Sequence, residues 1–502
     1  MKVLTSKQVY DADQITIKNQ QIDSLQLMER AGKVLADRIL EIISENQKIY
    51  IFCGTGNNGG DGMVIARILM ESGFNVKVYV VEFGKKYSND FKENYYRLKK
   101  NIEKRIVFFK KEIELPIIQK DDIVVDCIFG IGLNRKPSGL IKDVIFQINQ
   151  CPAFKISVDI PSGLFAGKPV EDFDSVLQSD LILTLQVPKP AFFLPDNFKF
   201  INRFEVLDIG LDEEFISNVK PFATLITLEL IKGFYNPRKK FDHKGTFGHT
   251  VIIGGSFGKI GAVILAAKAA FRTGAGLVTS FIPKTGYDIL QISIPEAMVV
   301  TDKNDQIISE IVLEFTPDAV AIGMGMGTEK ETVGAFGNFL SKYKKPLVID
   351  ADALNCFSEN QNLLQLLPQN SILTPHPGEL KRLIGSWKND YEKIEKCKKF
   401  VQEYQIILVV KGAYTMIFVD DEIYINPTGN PGMGTAGSGD TLSGILAGLI
   451  SQNYNPKQAA LFGVYLHGLA GDLAAENIGE ESLMAGDIIS FLSKAYEVIS
   501  KK

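Results

Sequence analysis

The chain has 502 residues, which is too long for one ordinary hydrophobic core, so two or three domains are expected. Its hydrophobic fraction of 45% and charged fraction of 23% are typical of soluble globular proteins. The formal charge of -4 argues against sequence-independent binding to nucleic acid. No apolar run approaches the ~18 residues that a membrane span requires, so we expect neither nucleic acid nor membrane as a partner.

The N-terminus becomes polar at once and lacks the apolar region of a signal peptide, which predicts a cytoplasmic protein. The five cysteines are scattered, odd in number and free of any CxxC pair. Buried free thiols are therefore expected rather than a disulfide framework or a zinc site. With only four histidines in the chain, a multi-histidine metal site is nearly excluded.

The first half of the chain alternates between helix-like and strand-like segments. Apolar residues at roughly helical spacing predict a helix over the first ~45 residues. Short apolar runs then predict strands at 49–52, 76–81, 123–125, 156–158 and 181–184. Strands separated by amphipathic helices indicate a mostly parallel sheet that is covered on both faces.

The second half repeats this alternation after the pattern loses definition around 210–240. Its predicted strands lie at 250–253, 277–282, 318–322, 347–350, 371–374 and 406–410. We place the boundary near 220, which gives domains over 1–220 and 221–502. The two halves share an α/β architecture but show no obvious sequence repeat.

A glycine-rich segment, Gly54–Gly62, follows the first predicted strand. Its glycines satisfy the GxGxxG pattern of dinucleotide-binding dehydrogenases, so that function remains an alternative. The inserted Asn57, Asn58 and Asp61 count against it, because a pyrophosphate loop gains nothing from a carboxylate near its phosphates. Amide oxygens and a carboxylate suit a cation and ribose hydroxyls better. A tight strand-to-helix turn would explain the glycines alone.

Two further polar loops follow predicted strands, at 125–135 and 158–163. In a doubly wound sheet the loops at the carboxyl ends of strands converge on one crevice. Asp61, Asp126 and Asp159 are therefore expected to meet there with side-chain oxygens of Asn58 and Ser162. Such oxygen ligands suit a hard cation. A lone aspartate after a strand is usually a cap, but three such loops favour a site.

The strongest signal lies at 430–441, where a glycine-rich loop ends in Asp440 just before an apolar helix. Backbone amides at a helix N-terminus favour phosphate oxygens. An aspartate there would repel phosphate if it were a mere cap, whereas it makes sense as the general base for a hydroxyl that attacks the phosphate. Lys411–Thr415 follows a predicted strand and can bracket the nucleotide. Two prolines flank His376, which favours a rigid ligand contact.

These segments resemble two known families joined in one chain. Residues ~1–215 resemble the NAD(P)H-hydrate epimerase domain, and residues ~225–502 resemble the ADP/ATP-dependent NAD(P)H-hydrate dehydratase. The matching segments are Leu27–Gly32, Asn57–Gly62, Phe129–Leu133, Val158–Gly163, Lys244–Ser256, Asp350–Asn355, Thr374–Glu379 and Gly434–Asp440. The resemblance implies an N-terminal Rossmann-like three-layer αβα domain fused to a C-terminal ribokinase-like α/β domain.

For the first domain the resemblance implies interconversion of the R and S hydrates of NADH and NADPH. Asp159 would be the acid/base, and Asn58, Asp126 and Ser162 would bind K⁺. The residues that would hold the hydrated nucleotide are Asn57, Asn58, Gly59, Gly60, Asp61, Gly130, Ile131, Gly132, Leu133, Asn134, Arg135, Lys136 and Asp159.

For the second domain the resemblance implies dehydration of the S hydrate with ADP or ATP as co-substrate, and Mg²⁺ accompanies the nucleotide. Asp440 would be the catalytic base. The residues that would contact the hydrate are Ala262, Gly325, His376 and Asp440. The residues that would bind the nucleotide are Lys411, Gly412, Ala413, Tyr414, Thr415 and Gly439. We also expect a homo-oligomer whose partners are these small molecules.

Two alternatives remain at this point. A ribokinase-type kinase for a vitamin precursor or sugar alcohol would share the glycine-rich loop and Asp440. The first domain could also act only as a nucleotide-sensing or partner-binding module. The residues do not distinguish ADP from ATP, or NADH hydrate from NADPH hydrate.

Overall fold

The computed structural model describes residues 1–82, 86–102, 105–109 and 115–501. Contacts between Cα atoms divide the chain into two compact units. One comprises Met1–Ala223 with Asn389–Tyr391, and the other comprises Thr224–Lys388 with Glu392–Lys502. Within the described ranges, no helix combines the length and the hydropathy needed to cross a membrane.

The first unit is built on a parallel sheet of seven strands in the order β4–β3–β2–β5–β6–β7–β8. The strands of this unit are β1 (Lys2–Val3), β2 (Lys48–Cys53), β3 (Asn75–Val81), β4 (Ile106–Phe109), β5 (Ile123–Cys127), β6 (Phe154–Val158), β7 (Leu181–Leu185) and β8 (Phe204–Leu207). Its helices are α1 (Ser6–Gln20), α2 (Ser24–Leu40), α3 (Asn57–Glu71), α4 (Asn89–Ile102), α5 (Leu140–Gln150) and α6 (Glu213–Asn218). The predicted parallel α/β fold is confirmed.

Two local predictions for this unit were wrong. The single helix expected over the first ~45 residues is two helices, because the backbone turns left-handed at Gln21 (φ 53°) and Asp23 caps the start of α2. The segment Asn57–Asp61, expected as a loop, forms the first turn of α3. Gly59 permits this start: a Cβ there would lie 1.9 Å from the Gly54 carbonyl oxygen. The turn thus needs glycine for close approach to the end of β2.

The second unit has a larger sheet with the order β9–β18–β17–β16–β15–β14–β13–β10–β11–β12. The strands are β9 (Ala223–Leu225), β10 (His249–Ile253), β11 (Leu277–Ile282), β12 (Met298–Thr301), β13 (Ala319–Ile322), β14 (Leu347–Ile349), β15 (Ile372–Leu373), β16 (Ile407–Val410), β17 (Met416–Val419) and β18 (Glu422–Ile425). The run from β12 to β16 is parallel, and β17 is antiparallel to both of its neighbours. Sequence patterning predicted the parallel run.

Ten helices follow β9 along the described chain, and many cover the faces of this sheet. They are α7 (Leu228–Phe234), α8 (Ile260–Thr273), α9 (Tyr287–Ser293), α10 (Lys330–Lys342), α11 (Asp352–Glu359), α12 (Pro377–Ile384), α13 (Asp390–Tyr404), α14 (Ser438–Ser451), α15 (Pro456–Ile478) and α16 (Ala485–Ser500). Helix α14 is nearly all buried and packs directly on α8. A Cβ at Gly444 would lie 2.0 Å from the Ala266 carbonyl oxygen, so α14 is held against the backbone of α8.

We expect Gly444→Ala to lower the free energy of unfolding of the second unit. The added methyl group forces α14 and α8 apart at a cost of about 1–3 kcal/mol, which exceeds the gain of about 1 kcal/mol in helix propensity. The control is Gly334→Ala in α10, where an added Cβ meets nothing within 4 Å and no loss is expected. The single tryptophan, Trp387, lies in this unit, so its fluorescence during urea titration reports the effect. Equal midpoints for the two variants would contradict the packing argument.

Candidate functional sites

The first unit contains a cavity of about 1020 Å³ at the carboxyl edge of its sheet. Its walls are formed by α1, the start of α3 and the segments that follow β5 and β6. Parallel strands bring their following loops together at this edge, as the sequence predicted. The predicted site residues that line the cavity are Asn57, Asn58, Asp61, Gly130, Ile131, Gly132, Leu133, Asn134, Arg135, Lys136 and Asp159.

Gly59 and Gly60 lie outside this lining, in the buried first turn of α3. A Cβ on Gly60 would lie 2.5 Å from the sulfur of Met28, so both glycines are packed against neighbouring parts of the unit. These close contacts within the protein are enough to explain why both positions are glycine, and no ligand contact is needed for that explanation. A direct contact of these two residues with substrate stays a prediction.

A buried carboxylate, Asp126, lies at the end of β5 and is fully enclosed. Ser162 donates to it from both its hydroxyl (2.5 Å) and its backbone N–H (2.9 Å), and Ser157 donates at 2.9 Å. Burial raises the pKa of Asp126, and these hydrogen bonds oppose the rise. No side-chain cation among the described residues forms an ion pair with it. A buried carboxylate without a cationic partner is a suitable ligand for a metal ion.

Asp159, at the end of β6, does have a cationic partner. The ammonium of Lys189 lies 2.5 Å from its Oδ1 and also donates to Thr184 Oγ1 at 2.7 Å. The Lys189 side chain is completely buried, whereas that of Asp159 remains 11% exposed. The backbone at Asp159 is left-handed (φ 67°), a conformation that non-glycine residues seldom adopt. This arrangement directs a negatively charged carboxylate held by a fixed lysine toward the cavity.

Two more carboxyl groups share this electrostatic environment. Burial and the charge of Asp159 raise the pKa of Asp13 to about 7, although Lys189 opposes the rise. Burial, followed by the charges of Asp159 and Asp13, raises the pKa of Asp61 well above its usual range. Both side chains line the cavity. Burial and neighbouring charges thus raise the pKa values of two carboxyl groups in one cavity, which is typical of sites that carry out acid–base chemistry.

Sequence reasoning missed Asp13 and Lys189. Lys189 stands between Pro188 and Pro190 after a strand. The same pattern of flanking prolines singled out His376, so the sequence could also have identified Lys189 as a candidate. Asp13 follows the buried Ala12 on α1, and nothing in a single sequence shows that this face of the helix meets the carboxyl edge of the sheet. The contact that defines its role is tertiary.

The second unit contains a cavity of about 720 Å³. It lies beside the N-terminus of α14 and the loops that follow β14, β15 and β16. The predicted site residues that line it are His376, Lys411, Gly412, Ala413, Thr415, Gly439 and Asp440. Tyr414, Ala262 and Gly325 lie outside the lining, and a Cβ at Gly325 would be 3.4 Å from that of Ala262. Their contacts with ligands stay predictions.

The N-terminus of α14 carries the main polar features of this cavity. Gly437 adopts a left-handed conformation (φ 87°) at the N-cap, and the helix begins at Ser438. Asp440 therefore lies in the first turn of the helix and not just before it, as the sequence pattern predicted. A Cβ at Gly439 would lie 3.2 Å from Lys411 Nζ, so the ammonium stands beside this helix end. Helix dipole and ammonium together make a site for phosphate oxygens. Burial and then the charge of Asp350 raise the pKa of Asp440 to about 6, which suits a base near neutral pH.

Lys411 is held in place by two buried carboxylates, Asp350 at 2.8 Å and Glu379 at 4.0 Å. Asp350 also accepts a hydrogen bond from Ser443 in α14 (2.8 Å), which ties the end of β14 to this helix. Burial alone would raise the pKa of Asp350, but Lys411 and these hydrogen bonds leave it below its usual value. Sequence reasoning did not select Asp350 or Glu379 as site residues, because their partners lie far away along the chain.

His376 caps helix α12, as its Nδ1 accepts a hydrogen bond from the Gly378 backbone N–H at 2.9 Å. Its Nε2 lies 3.4 Å from Glu379 Oε1, and half of the side chain is exposed in the cavity. The histidine is therefore both a structural cap and a half-exposed group in the lining of the cavity. A second cavity histidine, His467, is buried, and burial lowers its pKa to about 4, so it is neutral at physiological pH.

The described residues contain no cluster of three or more His, Cys, Asp or Glu side chains arranged to hold a metal ion.

Comparison with known proteins identifies the family. A family model described as NAD(P)H-hydrate dehydratase matches residues 250–494, and one described as YjeF-related protein N-terminus matches residues 24–191. The bifunctional NAD(P)H-hydrate repair enzyme Nnr of Moorella thermoacetica is 35% identical over 98% of this chain and 96% of its own length. The chain belongs to the bifunctional NAD(P)H-hydrate repair enzyme family.

Other members of the family and one solved structure agree with this assignment. The Nnr protein of Escherichia coli is 31% identical over 93% of this chain and 89% of its own. An ADP/ATP-dependent NAD(P)H-hydrate dehydratase from Bacillus subtilis, co-crystallized with ATP and Mg²⁺, is 28% identical. It covers 56% of this chain and 99% of its own, with a TM-score of 0.50. The family resemblance and the two-part α/β fold inferred from sequence are confirmed.

We expect Lys411→Met to destabilise the second unit by about 2–4 kcal/mol, because it leaves the buried carboxylates of Asp350 and Glu379 without their cation. The double variant Lys411→Met/Asp350→Asn removes one of these charges and is expected to recover more than half of the loss. Trp387 fluorescence in urea measures both effects. If the double variant were no more stable than Lys411→Met, the ion pair would not be the source of the loss.

Proposed function

We propose that this chain repairs hydrated NADH and NADPH with two separate active sites. The first cavity interconverts the R and S hydrates, and the second dehydrates the S hydrate with ADP or ATP as co-substrate. The observation that carries the proposal is the pair of cavities, each with a titratable aspartate beside a fixed lysine: Asp159 with Lys189, and Asp440 beside Lys411. The homo-oligomer and the cytoplasmic location stay predictions.

In the second cavity, the backbone amides at Gly439 and the Lys411 ammonium would bind the terminal phosphate of the nucleotide, and the 412–415 segment would bracket it. Mg²⁺ would arrive with these phosphates and neutralise part of their charge. His376 would contact the hydrated ring from the start of α12. This assignment accounts for the polar groups of the cavity and leaves Asp440 next to both substrates.

Dehydration requires a better leaving group than hydroxide. Asp440 would take the proton of the ring hydroxyl while the hydroxyl oxygen attacks the terminal phosphorus of the nucleotide. This attack releases the rest of the nucleotide. The ring nitrogen lone pair then expels inorganic phosphate from the ring carbon. Loss of a proton from the adjacent carbon restores the dihydropyridine. The net products are NADH or NADPH, inorganic phosphate and the shortened nucleotide.

In the first cavity, Asp126 and Ser162 with the Asn58 side chain would hold K⁺. The donor set consists of carboxylate, hydroxyl and amide oxygens, and the enclosed Asp126 carboxylate lacks a cationic partner among the described residues, so the residues fit this ion. Bound K⁺ would supply positive charge for ligand oxygens. Lys189 donates a hydrogen bond of 2.5 Å to the Asp159 carboxylate and holds it beside the cavity, where Asp159 would exchange a proton with the hydrate.

Two variants separate the two proposed activities. Asp440→Asn is expected to lower dehydration by about 10²- to 10⁴-fold, the usual contribution of a general base, while the R and S hydrates still interconvert. Asp159→Asn is expected to have the opposite effect. The S hydrate is dehydrated at the wild-type rate, but the R hydrate is converted only as fast as it epimerises spontaneously. With purified hydrates and ADP or ATP, the absorbance band of the reduced nicotinamide measures dehydration, and chromatographic separation of the R and S hydrates measures their interconversion. Full recovery of NADH by Asp440→Asn would exclude its role as base.

The pH dependence of dehydration is a further test. Asp440 acts as a base only when ionised, so kcat/KM for the S hydrate should rise as pH passes through about 6 and level off above it. The residual activity of Asp440→Asn should lack this rise. A wild-type profile that is flat from pH 5 to 7 would contradict the assignment, whereas phosphorylated hydrate as the final product would favour the kinase alternative.

A further inference from the structure

Asp13 is a carboxyl group in the first cavity to which the proposed function gives no role. It lies on α1 and lines the cavity together with Asp61 and Asp159. It has no side-chain hydrogen bond or ion pair with another described residue. The charged groups that act on it are those of the cavity itself, Asp159 and Lys189. It is therefore free to exchange a proton with a ligand.

The chemistry of epimerisation at a hydroxyl-bearing carbon beside a ring nitrogen needs two such groups. Inverting the carbon by loss and return of water requires one group that donates a proton to the departing hydroxyl. A second group must take a proton from the water that attacks the other face. A single carboxylate held by a lysine supplies only one of them.

We propose that Asp13 is the second acid–base residue of the epimerase site and works as a pair with Asp159 on the ring hydroxyl of the hydrate. This inference rests on the proposed function of the first cavity and adds a catalytic residue to it. The family resemblance assigned Asp159 alone to this task.

The step balances without any other reactant. Protonated Asp13 gives its proton to the hydroxyl, the carbon–oxygen bond breaks and its electrons leave with water. The ring nitrogen lone pair forms a double bond to that carbon. Water then adds to the opposite face, its extra proton passes to Asp159, and the electron pair returns to nitrogen. The opposite conversion uses the same groups with their roles exchanged. Before a second turnover in the same direction, Asp159 loses its proton to solvent and Asp13 takes one up from solvent.

The arrangement of neighbours sets the protonation states that this step requires. Lys189, 2.5 Å from Asp159, stabilises the charged form of that carboxylate. Asp13 faces both the negative Asp159 and the positive Lys189, and its pKa of about 7 means that it gains and loses a proton near neutral pH. Asp61 is more deeply buried, with Asp159, Asp13 and Asp90 as charged neighbours, and its pKa lies well above the usual range. Asp61 is therefore suited to donate a hydrogen bond rather than to cycle a proton.

Both directions of the reaction need the Asp13–Asp159 pair to share one proton. Loss of that proton as pH rises through about 7 stops turnover, so epimerisation should fall on the alkaline side. The decrease in epimerisation rate above pH 7 requires both carboxyl groups, so it should disappear when Asp13 is replaced by a residue that does not titrate.

The test uses the full chain with Asp13→Asn, and with Asp11→Asn as the matched control. Asp11 lies on the same helix but does not line the cavity. For Asp13→Asn we expect kcat for R-to-S conversion to drop about 10²- to 10⁴-fold, with a smaller change in KM and no alkaline fall near pH 7. Asp11→Asn should match wild type. Dehydration of purified S hydrate should be unchanged in both variants, because that reaction belongs to the second unit. Circular dichroism spectra and thermal unfolding that match wild type would show that the first unit of each variant is folded.

The outcomes separate this inference from the function on which it rests. If Asp13→Asn kept wild-type epimerisation and its pH profile, Asp13 would have no acid–base role. If Asp61→Asn removed the alkaline fall and Asp13→Asn did not, the second group would be Asp61, and the inference would be wrong. If wild-type protein failed to interconvert purified R and S hydrates at all, the proposed epimerase function itself would fail.

Discussion

The cost of burying a carboxylate governs both sites. Each unit places an aspartate at the carboxyl edge of its sheet with a buried or largely buried lysine within hydrogen-bond distance: Lys189 beside Asp159 and Lys411 beside Asp350. An unpaired charge in such surroundings would be neutralised or would destabilise the fold. Because each lysine satisfies one carboxylate, that group keeps its charge and its position.

The remaining carboxyl groups take their properties from these pairs. Asp13 and Asp440 each lie in the field of a paired aspartate and lack an ion pair of their own among the described residues. Burial and the nearby negative charge raise their pKa values to about 7 and about 6. A group that titrates close to neutral pH transfers protons at the lowest cost. In the proposed mechanisms, the same combination of a paired aspartate and a neighbouring carboxyl group would therefore serve both reactions, although one inverts a carbon and the other removes its oxygen.

The two sites differ in the groups that surround the lysine–aspartate pair. The second has a helix N-terminus with an ammonium beside it, the environment that phosphate requires, and α14 is fixed against α8 by the close approach at Gly444. In the first, Asp126 is enclosed by hydroxyl and amide donors, and the cavity lining carries Lys7, Arg135 and Lys136. The proposed phosphoryl step and the proposed cation-assisted exchange of water would thus take place in two different environments within one chain.

The sequence by itself determined the family, the alternation of strands and helices, and the loops that carry Asp159, His376 and Asp440. These features depend on local periodicity and on residue order, which a single chain displays. Only the tertiary structure decided that Gly59 and Gly60 pack inside a helix turn, that Tyr414 is not among the residues lining the second cavity, and that Asp13 lines the first cavity. Those facts depend on which faces meet after folding. Five of the seven strands of the first sheet lie between Asp13 and Asp159 in sequence. The charge of Asp159 raises the pKa of Asp13 only because α1 lines the same cavity as the end of β6.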